Sequence, residues 1–376
     1  MNFIEEDIIP IVIDNGSNTM KVGFSGDDVP RTEFKTIHGE PRYNASYTCF
    51  GHIEYVGDEV LKKRRILNVV NPIERGEIIN FHAMEKIWHY TFYNELRVEP
   101  VEHPVFMTEN PTTSKQEREK MTEIMFEYFN TPAFYIGKQG VLSLYSIGKL
   151  TGTVINSGHG CTCCVPVEDG FMINNAVGRI DFGGKDVTDL LMNKLNENRY
   201  TSKTPINEDI VNKIKETFCY VSDDYQNEIK KDLKEIEQQY TLPDGEVISI
   251  GKELFEIPEI LFQSTLFENS FNGIHELINY SLMKCNNNIR NELFENIVIT
   301  GGNSLIKNFD KRLKNELKKI PFSPTNINFI EIKTNERKYS DWLGGSIFAY
   351  YLPSTIWIMK EEYDEFGPSI IHKKCY

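Results

Sequence analysis

Asn156, Ser157, Gly158, His159 and Gly160 form a polar, glycine-rich turn. The apolar residues 153–155 lead into it, and Cys161, Cys163, Cys164 and Pro166 follow. Glycines at such a turn let the backbone approach a ligand closely, and successive amides can then make an anion-binding concavity. The outline is that of a phosphate loop between two strands. Such a loop would usually carry carboxylates, yet the side chains here are an amide and an imidazole. Three chemistries are therefore open: a working nucleotide site, a metal site, or a phosphate loop that has lost its acids.

Two further turns have a related make-up. Residues 14–18 read DNGSN, offering the carboxylate of Asp14 and the hydroxyl of Ser17, with Lys21 just beyond. A lysine supplies a mobile point charge and turn amides supply fixed donors. Taken singly, Lys21 reads as an ordinary strand lysine and Asp14 as a turn former. The third turn lies in VITGGNSLI, where Gly301 and Gly302 follow an apolar strand and precede a helix. Helix N-terminal amides facing an anion are expected there.

Zinc is the weaker reading of the cysteine-rich turn. His159, Cys161 and Cys163 share a strand face, and Cys161 and Cys164 formally make C-x-x-C. Along a strand, however, residues i and i+4 lie ~13 Å apart, too far for one tetrahedral ion unless the chain folds back. No second C-x-x-C completes a set. Thiols packed as small hydrophobes are the expected outcome.

The elements that must position these turns are readable around them. The apolar residues 8–13 and the run MKVGF flank the first turn, predicting a hairpin, and TVINSGHGCTCCVPV repeats the pattern. Two such hairpins suggest two related lobes, each bringing one phosphate loop. Ser114 and Glu117 read as a capping box before Met121, Ile124, Met125 and Phe129, with Pro132 past the end. Ile274, Leu277, Ile278 and Leu282 form a second amphipathic stripe, and Phe309, Leu313, Leu317 and Ile320 a third. Both are expected to be core faces. The charge-dense run NEIKKDLKEIEQQY predicts a solvated helix with mixed-sign pairs.

The 376 residues are enough for two domains, and 40% hydrophobic with 12% aromatic content supports a substantial core. A net charge of −14 argues against direct nucleic-acid binding. The acidic start MNFIEEDII does not read as a signal peptide, and no apolar stretch approaches the ~18 residues of a membrane span. Seven cysteines, an odd number with Cys163 and Cys164 adjacent, read as reduced thiols. The expectation is a soluble, intracellular α/β protein without membrane insertion.

From its first strand to its last residue the chain resembles actin. DNGSNTMKVGFSGDDVPR, YVGDE, KIWHYTFYNELRV, REKMTEIMFEYFNTPA, LPDGEVISIG, ERKYSDWLGGSI and EEYDEFGPSIIHKKCY carry the likeness, in actin's order. The resemblance implies an α/β, two-lobed actin-like ATPase (ribonuclease H-like) fold, shared with sugar kinases and the ATPase domain of heat-shock chaperones. Its nucleotide, ATP or ADP with Mg2+, occupies a cleft between two related lobes. It implies subdomain 1 at 1–35, 72–146 and 340–376, subdomain 2 at 36–71, subdomain 3 at 147–182 and 271–339, and subdomain 4 at 183–270.

Residue by residue, the resemblance implies that Asp14 and Asn156 face the metal through water. Ser17, Asn18, Lys21, Gly158, His159, Gly160 and Cys161 would line the phosphates. Gly184, Lys215, Glu216, Gly301, Gly302, Leu305 and Lys338 would complete nucleotide binding. Gln139 keeps the water-positioning place, while Cys163 stands where the family has a histidine. The family pattern at the second loop is D-S-G-D-G, against N-S-G-H-G here. Magnesium binds through one or two carboxylates with phosphates and water, so fewer acids should weaken it without necessarily abolishing it. At ~5 Å and an effective dielectric of ~20, one unit charge is worth roughly 3 kcal/mol. A thiol is a poor replacement for imidazole in proton transfer, so hydrolysis is expected to be weakened or lost. Asn212 replaces an arginine, and Leu305 with Ile306 replaces a methionine–tyrosine pair, leaving an aliphatic sandwich for adenine.

The resemblance also implies assembly, as a filament component or a subunit of an actin-related complex in the cytoplasm and cytoskeleton, with a nuclear place left open. Its partners would be further copies, actin or other actin-like subunits. Actin-binding proteins would dock at a C-terminal groove of Tyr145, Gly148, Ile347 and Ile356. Arg75 takes the place of a phosphate-sensing histidine. The docking loop YNASYTCFGHIE is one residue shorter than actin's, and the plug FQSTLFENSFNG keeps Leu266 and Phe267 but gains Glu268 and Asn269. Two other functions stay open, an active ATPase that times filament turnover and a nucleotide-free scaffold. A sugar kinase is weaker, because the obvious substrate-base carboxylates are the missing ones.

Overall fold

The computed structural model describes residues 8–42, 54–197, 206–263, 273–320, 326–334 and 336–375. Most of the docking-loop segment and the plug residues Leu266 to Asn269 lie outside these. Two compact units make up the chain. The first comprises Met1–Leu150, Asp169–Phe171 and Lys338–Tyr376, and the second Thr151–Glu168 and Met172–Arg337.

The first unit is built on a six-stranded mixed sheet in the order Ile358–Met359, Ala133–Lys138, Val105–Glu109, Ile11–Asn15, Thr19–Phe24, Thr32–Lys35. Ile11–Asn15 and Ala133–Lys138 both run parallel to Val105–Glu109, whose five residues are all buried. A strand covered on both faces reads as a continuous apolar run, and VFMTE nearly does. Its two polar exceptions, Thr108 and Glu109, end the strand beside the first turn. Trp88, Phe106, Phe134, Trp342 and Trp357 fill the core around the sheet. The expected first hairpin forms, with Asp14 opposite Lys21 and Asn15 opposite Met20.

The second unit centres on Gly152–Ser157, paired antiparallel with Thr162–Glu168 and parallel with Ile297–Thr300. The expected second hairpin forms as well, and Asn156 faces Cys163 across it. Helix Ile274–Met283 buries Leu277, Ile278 and Leu282, and helix Phe309–Lys319 buries Phe309, Leu313 and Leu317, in one core. The apolar stripes are core faces.

Three local expectations are corrected. The run NEIKKDLKEIEQQY is not one helix. Asp224 and Asp232 cap two one-turn helices, Tyr225–Glu228 and Leu233–Ile236, and the strand Gln238–Thr241 follows. With only Ile236 buried across both turns, the segment has no apolar stripe to hold a longer helix. Ser114 does cap helix Lys115–Glu123, accepting from Glu117 N at 3.2 Å. The Glu117 carboxylate, however, accepts from Ile78 N at 2.9 Å, serving a tertiary contact. The third glycine turn leads into a short 3-10 segment, Gly302–Leu305, and the long helix starts only at Phe309.

Candidate functional site

In the first unit Lys21 and Gln139 close on Asp14. This aspartate is 3% exposed, at the end of a strand whose preceding residues are fully buried. The hairpin register sets Lys21 beside it, and Lys21 Nζ donates to Asp14 Oδ2 at 2.7 Å. From the neighbouring strand, Thr108 Oγ1 donates to Asp14 Oδ1 at 2.5 Å, and Gln139 Nε2 donates to the same oxygen at 3.0 Å. Burial pushes the Asp14 carboxyl up. The Lys21 charge and the hydrogen bonds from Lys21, Thr108 and Gln139 outweigh it and hold the carboxyl below its ordinary value. Burial likewise lowers Lys21, but the Asp14 charge reverses the effect and raises it. Both groups are therefore ionised near neutral pH.

The turn itself is tightly built. Gly16 N donates to Asp14 O at 3.1 Å, and a Cβ on Gly16 would strike the Thr19 carbonyl oxygen. Asn18 is held from two sides, with Thr36 N donating to its carbonyl and Lys35 Nζ to its Oδ1 at 2.9 Å. Ser17 is half-buried at the tip.

Asp341, from helix Ser340–Tyr351, is one residue here that sequence reasoning missed. Its Oδ1 accepts from Gly140 N at 2.9 Å and from Ser143 Oγ at 2.6 Å, fixing the backbone next to Gln139. Burial, with the Asp14 charge nearby, pushes its carboxyl up to about 6. Thr108 was missed too. Nothing local marks either residue: Asp341 reads as a helix-start acid and Thr108 as one polar residue in a strand.

In the second unit three turns pack together. Gly184 N donates to Gly158 O and Lys185 N to His159 O, each at 2.9 Å, so the turn of 158–160 lies against the start of helix Gly184–Glu197. Asn303 Nδ2 donates to Ser157 Oγ at 3.0 Å, bringing in the third turn. Gly301 has φ +87°, and a Cβ there would strike Ser157 O and Asn156 Oδ1. Among the described residues nothing lies within 4 Å of such a Cβ on Gly302. Thr300 Oγ1 and Asn303 Oδ1 are buried without a hydrogen-bond partner among the described residues. The two buried orphan polar atoms, beside the open side of Gly302, fit a polar ligand at these turns.

Asn156 and Cys163 carry no charge into this arrangement. Cys163 is 2% exposed, and a hydrogen bond with Cys161, together with burial, raises its thiol well above the usual value. It stays protonated at neutral pH and is no proton acceptor. His159 is half-buried, Gly160 and Cys161 are buried, and among the described residues His159, Cys161, Cys163 and Cys164 form no three-ligand metal group. Among the described residues the cysteines are free and buried, as small hydrophobes would be.

The nucleoside-end residues come from both units. Lys215 is buried on helix Glu208–Phe218, where its Nζ donates to Gly184 O at 2.9 Å and Thr188 Oγ1 at 2.8 Å. Asn212 Oδ1 accepts from Thr188 Oγ1 at 2.7 Å. Glu216 is exposed on the same helix. Leu305 is half-buried, while Ile306 packs against the core. Lys338 belongs to the first unit, where its Nζ donates to Glu33 at 2.9 Å.

Of the C-terminal groove residues, Tyr145 stacks on Phe348 with centroids 5.3 Å apart, Ile347 is half-buried, and Gly148 and Ile356 are exposed. Arg75, at φ 50°, and Gly76, at φ 81°, make the two-residue turn of the small hairpin Ile73–Glu74/Glu77–Ile78.

For a magnesium nucleotide the donor set fits in part. In the first unit a lysine and the buried acid Asp14 are present, but the two are already paired with each other. A family model described as Actin matches residues 5–376, nearly the whole chain.

Proposed function

Because the chain belongs to the actin family, we propose that it is an actin-like, ATP-binding cytoskeletal protein in which the nucleotide is mainly a structural ligand. It would work as a filament component or a subunit of an actin-related complex, organised in the four subdomains set out above. Asp14, through water, would hold Mg2+, with Asn156 as a weaker uncharged partner. Lys21, Ser17 and the glycine turns at 158–161 and 301–302 would line the phosphates. When bound, Mg2+ would supply charge neutralisation between phosphate oxygens. Ligand binding to the folded state alone adds stability by mass action.

One observation carries the reading. The Asp14 cluster keeps its acid, lysine and glutamine, whereas Asn156 and Cys163, paired across the second hairpin, supply neither a carboxylate nor a base. Phosphoryl transfer depends on positioning and charge stabilisation. Gln139 alone, donating to Asp14, would support only slow turnover. The test follows bound nucleotide and released phosphate in the same Mg-ATP sample. Bound ATP with little phosphate is expected, and brisk release would return the protein to the active ATPases.

A second reading, a nucleotide-free scaffold, is favoured by the closed Asp14–Lys21 pair, which neutralises the lysine within the protein. Absence of any thermal shift with Mg-ATP would support it against the first.

A further inference from the structure

One side-chain cluster shares no residue with the turns described above. His38 and Glu40 stand two residues apart on the strand His38–Pro41, hence on one face of it. The antiparallel register pairs His38 with Val56 and Gly39 with Tyr55, so Glu54, one residue before, falls opposite Glu40. One ligand atom from each of the three side chains lies within 4.8 Å of the others. Two acids directly across a strand pair repel each other, and nothing in the ladder requires them.

His38 adds an independent sign. It is 1% exposed, and its Nε2 is buried without a hydrogen-bond partner among the described residues. That nitrogen faces Glu54 Oε2 at 4.0 Å. A buried polar atom left unbonded is costly, and buried exceptions call for an explanation. A cation between the three groups would satisfy the nitrogen and cancel the repulsion. Lys86 Nζ, from helix Phe81–Tyr90, lies 3.5 Å from the same Glu54 oxygen and offsets part of the negative charge. It is the group that a bound cation would displace.

We propose that His38, Glu40 and Glu54 form a binding site for a divalent metal ion of the zinc type, with water filling the remaining position. The donors decide the class. Imidazole nitrogen with carboxylate oxygen suits Zn2+, whereas Mg2+ and Ca2+ take oxygen ligands. Zinc bonds of about 2.0–2.2 Å require the three donors to draw together by roughly an ångström. Both glutamates are exposed, and a change of side-chain rotamer would cover that distance once Glu54 parts from Lys86. Bound metal would clasp the strand His38–Pro41 to the start of Tyr55–Val56.

The test titrates chelator-treated full-length protein with Zn2+ by calorimetry, in excess Mg2+ to fill any nucleotide-linked cation site. One equivalent of zinc is expected to bind. The exposed double variant Glu40→Gln/Glu54→Gln, which leaves the buried His38 in place, should lose at least a hundredfold in affinity. Lys86→Met, which removes the competing ammonium, should gain about tenfold. No zinc uptake would overturn the assignment. So would equal uptake by the wild type and the double variant, because the metal would then sit on other side chains, the thiols first.

Discussion

Lys21 and Asp14 occupy one register pair of the first hairpin, and the lysine ammonium closes on the carboxylate at 2.7 Å with both side chains buried. Removing one partner of such a pair leaves an uncompensated buried charge, which costs about 3–5 kcal/mol. Lys21→Met should therefore destabilise the protein by roughly that amount in urea denaturation. The double variant Asp14→Asn/Lys21→Met should lose less than the sum of the two single changes. Strict additivity would mean that the pair does not interact.

Asp341 gives a pH dependence of definite sign. Its carboxyl is raised from 3.8 to about 6, so between these values the folded state holds a proton that the unfolded state releases. This group's contribution to stability is largest below pH 4, falls as pH rises towards 6, and is flat above. The two-unit shift corresponds to about 3 kcal/mol. Asp341→Asn keeps the acceptor oxygen for Gly140 and Ser143, and should remove that slope from melting temperatures measured across pH 4–7. An unchanged slope in the variant would put the titration elsewhere.

Introducing one acid tests the second hairpin. Asn156→Asp is isosteric and sits opposite the uncharged Cys163. If the turn faces a magnesium nucleotide, Mg2+ should slow nucleotide release in the variant at about tenfold lower concentration than in the wild type. Identical Mg2+ dependence would remove residue 156 from the cation's surroundings.

The third turn offers a matched pair of glycines. Gly301→Ala meets both a positive φ and the Ser157 carbonyl, and should destabilise the protein by about 2 kcal/mol or more. Gly302→Ala meets open space and should leave the melting temperature within a degree or two, while weakening nucleotide retention. Equal losses of stability would show that the crowding at Gly301 relaxes.

Both hairpins were legible because their signals are local. A glycine-rich polar turn between apolar runs specifies strand, turn and strand, and the register then pairs Asp14 with Lys21 and Asn156 with Cys163. The stripe of Phe309, Leu313 and Leu317 reported its buried face for the same reason. The run from Asn227 to Tyr240 was misread as a helix, since mixed charges satisfy helical spacing without supplying anything to bury.

What the sequence determined by itself was the set of turns, their glycines and the uncharged side chains of Asn156 and Cys163. Tertiary structure alone decided the company these residues keep. Thr108, Gln139 and Asp341 gather around Asp14 from three distant elements. That gathering excludes water, so the charges there shift one another's protonation. Glu40 and Glu54 likewise look unremarkable in the chain, and the strand register brings them face to face beside His38.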